Sequence, residues 1–123
     1  MGIVNVTREQ LEKLLPDWGV SEFEDYFELC SHSPEGEEID VPLEKGKTLS
    51  EMAMVLYERY NNFDPEHHAA MIYHRKHYGS KEQQEFYAGA PGSLEDLIKD
   101  ARAIDNMYYE AGKALEDAGK EKK

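Results

Sequence analysis

Residues 21–30 read SEFEDYFELC, and the fold class turns on them. Ser21 stands three residues ahead of Glu24, the spacing of a capping box, in which a hydroxyl and a carboxylate satisfy the free N–H groups of a helix start. At about 100° per residue, Phe23, Tyr26, Phe27, Leu29 and Cys30 share one side of a helical wheel, with Glu24, Asp25 and Glu28 opposite. The stretch therefore predicts an amphipathic helix with an acidic exterior, ending near Cys30, whose thiol packs on the apolar side.

Working outward, most flanking signals are helical as well. Thr7 and Gln10 have capping-box spacing ahead of Leu11, Leu14 and Leu15, and Pro16 stops that helix. Thr48 and Glu51 open a helix over 49–61 with apolar residues almost all round, which places it centrally in the fold. Asp64-Pro65 starts another, ending at Gly79, and Ser80 restarts a short one. Ser93 caps the longest, over 94–118, whose buried side includes the small residues Ala101, Ala111 and Gly112 and so lets a second helix approach closely. Two places favour strand. Ile39, Val41 and Leu43 alternate with polar residues, Pro42 restricting that strand to an edge, and residues 3–6 offer a partner for it. The predicted architecture is all-α: one compact domain of five to six helices over 1–118, at most a minor two-stranded β-ribbon, and a frayed tail over 119–123.

With 123 residues, one cysteine, no apolar run of membrane-spanning length and no signal-like N-terminus, the chain reads as a cytoplasmic protein without an internal disulfide. Its net charge of −12 is unevenly placed: residues 1–66 hold 5 Lys/Arg against 16 Asp/Glu, and residues 67–123 hold 9 against 10. Residues 14–44 contain no Lys or Arg at all, but carry Asp17, Glu22, Glu24, Asp25, Glu28, Glu35, Glu37, Glu38, Asp40 and Glu44. Such a block repels nucleic acid and anionic membrane, and attracts a basic protein. These ten acids, beside Trp18, Phe23, Tyr26 and Phe27, are the candidate partner-binding residues, because carboxylate next to aromatic suits capture of Lys and Arg.

Signals for catalysis are weak. His67, His68, His74 and His77 crowd one helix, but His67 and His74 lie about 10 Å apart along its axis, and only His74 and His77 are neighbours. No His-Glu-x-x-His pattern, phosphate loop or nucleophile elbow is present. Asp105, at the margin of the last helix's apolar stripe, suits a hydrogen bond from a tyrosine better than acid–base work. The expectation is thus a binding or inhibitor protein with no catalytic residue, metal or cofactor. It would dock on a basic partner such as a nuclease or another nucleic-acid-handling assembly, as in defence and counter-defence systems of phages and mobile elements. Small acidic helical inhibitors and DNA mimics share this composition, though no motif. Two alternatives stand beside it: a helical assembly subunit, with homodimerisation through helix 49–61 and the small residues of the last helix, and a metal-dependent enzyme built on the 67–77 histidines.

Overall fold

A computed structural model describes residues 6–34 and 36–121. Among these residues the chain forms helix α1 (Arg8–Leu14), strands β1 (Gly19–Glu22), β2 (Tyr26–His32) and β3 (Glu38–Glu44), then helices α2 (Leu49–Asn62), α3 (Pro65–Tyr78), α4 (Lys81–Phe86) and α5 (Leu94–Glu121). The all-α expectation is therefore wrong: the fold is mixed, with five helices and a three-stranded antiparallel sheet in the order β1-β2-β3.

The error lies in residues 21–30. Ser21 and Glu22 end β1, Glu24 and Asp25 make a tight turn closed by the Phe23 amide donating to the Tyr26 carbonyl (2.8 Å), and Tyr26 begins β2. Along β2, Phe27 and Leu29 are buried while Tyr26, Glu28 and Cys30 point the other way and stay partly exposed, the period-2 burial of a strand with one covered side. Cys30 accordingly lies on the outward side of a sheet, not on an apolar helix face. Leu29 pairs with Val20 and Val41, and Phe27 with Leu43, so one row of apolar side chains crosses all three strands. A sheet with a continuous apolar side on top of helices buries more of these residues than a short isolated helix would.

The strand over 38–44 forms as the alternation indicates, at a sheet edge as Pro42 requires. Its partner is β2, in the register Cys30 with Asp40. Residues 3–5 of the other proposed partner lie outside the described residues. The β2–β3 loop is tied at its neck, where the Ser33 amide donates to the Glu37 carbonyl (2.8 Å) and the Glu37 amide to Ser33 Oγ (3.0 Å). Gly36 supplies the positive φ (+91°) that the return needs.

The other predicted helices are present. Thr48 and Glu51 make both halves of a capping box, as do Ser80 and Gln83, and Asp64 caps α3 ahead of Pro65. Helix α5 is longer than the expected 94–118 and includes residues assigned to a frayed tail. It packs along α2 through its small residues. A Cβ on Gly112 would lie 2.9 Å from the Tyr57 ring, and one on Gly119 2.9 Å from Ser50 Oγ. Helix α2 buries only Leu49, Met52, Ala53 and Leu56, while Met54 and Tyr60 are exposed, so its apolar breadth exceeds what the fold covers. Two hydrophobic clusters result. The larger joins the inner side of the sheet to α1, α2 and the C-terminal half of α5. The smaller joins α3 and Tyr87 to the N-terminal part of α5 through Ala69, Ile72, Leu97 and Ala101. No helix among the described residues is long and apolar enough to cross a membrane.

Candidate functional site

Strand alternation sorts the acidic block. Odd-numbered Phe27, Leu29, Ile39, Val41 and Leu43 point into the core. The even-numbered residues of β2 and β3 point outward: Tyr26, Glu28, Cys30 and His32 on one strand, Glu38, Asp40, Pro42 and Glu44 on the next. Glu28, Glu38, Asp40 and Glu44 thus share one side of two adjacent strands whose own residues include no Lys or Arg, though Lys47 stands 3.9 Å from Glu44. Glu24 and Asp25, both exposed, form the turn at the β1–β2 end of this side.

The remaining candidates part company with them. Glu22 is at the end of β1 and pairs with Lys45 at 2.8 Å, which holds its carboxyl below the usual range. Asp17 sits in the α1–β1 connection, its carbonyl accepting from Ser31 Oγ at 3.5 Å. Glu35 lies outside the described residues. Glu37 turns inward: Tyr87 Oη donates to Glu37 Oε2 at 2.8 Å, and His68 Nε2 stands 3.4 Å from Glu37 Oε1. The contact with His68, and secondarily the tyrosine hydroxyl, lowers the pKa of Glu37 against the opposing effect of burial. Burial, then the Glu37 carboxylate, raises that of Tyr87.

Glu37 and His68 line a cleft of about 350 Å³ with Ser33, Arg59, Phe63 and Tyr108, between the start of β3 and helices α2, α3 and α5. Arg59 Nη1 donates to the Asp40 carbonyl at 3.3 Å, covering part of the β3 edge. Sequence reasoning missed Glu37 as an inward group. The signal was its odd number, shared with Ile39, Val41 and Leu43, which becomes readable only once 38–44 is taken as a strand.

The histidine helix does not converge on a point. His77 Nε2 is 3.0 Å from the Gly92 carbonyl, His74 lies beside Tyr78 with the rings tilted, and His68 faces Glu37. Among the described residues the one group with metal-ligand spacing is Glu28, Cys30 and Asp40, whose donor atoms lie within 4.8 Å of one another. There burial, followed by the neighbouring Asp40 and Glu28 carboxylates, pushes the Cys30 thiol up to about 11, so it is protonated and a poor nucleophile at neutral pH. Asp105 Oδ1 is buried without the expected tyrosine partner, and burial raises the carboxyl's pKa. Comparison with protein-family models, with curated proteins and with solved structures finds no match for this chain.

Proposed function

We propose that this protein works by binding rather than catalysis, docking a basic protein partner on the outer side of its sheet. The observation that carries this reading is the grouping of Glu28, Glu38, Asp40 and Glu44 on one side of two adjacent strands whose own residues include no Lys or Arg. Among the described residues, only Lys47 at Glu44 (3.9 Å) and Arg59 at the Asp40 carbonyl (3.3 Å) reach it from outside the strands. Across the strands Glu28 faces Pro42 and stands diagonal to Asp40 and Glu44, while Glu38 and Asp40 are same-side neighbours along β3. At roughly 7 Å between such positions the backbone holds like charges near one another at a modest cost in repulsion. A partner's Lys and Arg relieve that repulsion on binding, and the field of the face speeds the encounter.

Nucleases and other nucleic-acid-handling proteins are the matching class of partner, because holding a polyphosphate requires clustered Lys and Arg. Occupying such a cluster competes with nucleic acid, which makes inhibition the natural outcome. The test is binding of a synthetic peptide of alternating Lys and Arg to the wild type and to the combined Glu28→Lys, Glu38→Lys, Glu44→Lys variant, with folding checked by circular dichroism. Binding should weaken steeply with salt and fall at least about tenfold in the variant. Unchanged binding by a folded variant would overturn the reading.

A further inference from the structure

The docking side ends at the β1–β2 hairpin, where its charge meets an aromatic surface. Phe23 is 45% exposed, and its ring stacks on that of Tyr26 with centroids 4.8 Å apart and planes 18° from parallel. Tyr26 is half-buried and opens the outward row of β2, opposite Glu44 and two residues before Glu28. Glu24 and Asp25 project from the turn between the two rings. The neighbouring lysines are engaged. Lys45 Nζ sits 2.8 Å from Glu22 and 5.2 Å from the centroid of Phe27, and Lys47 lies 3.9 Å from Glu44 in a contact between exposed side chains. An open Phe23 ring, stacked on Tyr26, therefore adjoins a turn that carries the exposed carboxylates of Glu24 and Asp25.

We infer that this hairpin corner recognises arginine, so that the segment docked on the acidic face anchors through an arginine side chain in preference to a lysine. The inference rests on the reading of that face as a docking surface and specifies its partner. A guanidinium is planar and weakly hydrated. It can lie against the Phe23 ring while its in-plane N–H fork reaches for the exposed carboxylates of the adjoining turn. An ammonium is a compact, strongly hydrated point charge that gains the attraction of the acids but little from the stack. Charge alone would make the two cations equivalent. The exposed stacked pair is what separates them.

The experiment compares two peptides of equal length, one of arginine and one of lysine in the same spacer, on the wild type and on Phe23→Leu. Leucine keeps the apolar bulk of an exposed position and removes only the π face. The wild type should bind the arginine peptide about fivefold more tightly. Phe23→Leu should weaken the arginine peptide more than the lysine peptide and so bring the ratio of the two affinities close to one. Equal affinities in the wild type, or a preference that survives Phe23→Leu, would overturn the inference while leaving the docking surface standing. Failure of both peptides to bind the wild type would instead overturn the docking reading itself.

Discussion

The two sides of the sheet use the same backbone for opposite purposes. Inward, Phe27, Leu29, Val41 and Leu43 are at most 2% exposed and close over α2 and α5. Outward, one residue further along the same strands, Glu44 is exposed and Glu28 and Asp40 are half-buried, Arg59 of α2 reaching the Asp40 carbonyl. Strand alternation thus separates what holds the protein together from what it presents. Glu37 marks the boundary: it belongs to the same acidic run, but it sits on the inward parity and spends its charge on the protein itself.

The largest expected effect breaks the inward side. Leu29→Ala should cost about 2–5 kcal/mol in urea or thermal unfolding, through lost burial and the cavity left behind. Glu28→Ala, at the adjacent position, should stay within about 0.5 kcal/mol. Similar losses at both positions would deny the alternation. Next comes Glu37→Ala, which strips Tyr87 and His68 of their shared partner and should destabilise by about 1–3 kcal/mol. Because the folded-state pKa of Glu37 is depressed, its contribution is complete above the unfolded carboxylate value. It is then lost as pH falls from about 4.5, the ordinary carboxylate value, through the lower folded one. The variant's deficit should therefore be present at neutral pH and shrink in acid, measured as the difference in unfolding midpoint across that window. A deficit independent of pH would place Glu37's role outside its charge. The smallest effect is at Glu22, whose ion pair with Lys45 is exposed: Glu22→Gln should leave the thermal midpoint unchanged within error.

The helices were legible because each start carries its own local chemistry: Thr48 with Glu51, Asp64 with Pro65, Ser80 with Gln83. The β1–β2 hairpin was not, for three reasons. Phe23, Tyr26, Phe27 and Cys30 follow the i, i+3, i+4, i+7 spacing of a helix stripe. Ser21 and Glu24 match a capping box by distance alone. Tyr26 and Cys30, outward but apolar, mask the alternation that buries Phe27 and Leu29. The turn gave no warning either, since no non-glycine residue described takes positive φ and the Asn-Gly or Asp-Gly pair of the common hairpin turns is absent. Of the candidate site, the charge was visible in the sequence but not its division. Which acids stand together follows from the register of Cys30 with Asp40, a tertiary fact.

The most direct measurement is a backbone amide NMR titration of the wild-type protein with the Lys/Arg peptide. Shifts should concentrate in Tyr26–His32, Glu38–Glu44 and the Glu24–Asp25 turn, and collapse when salt is raised. Shifts centred on α3 and α5, with the strands silent, would contradict a docking role for the acidic side of the sheet.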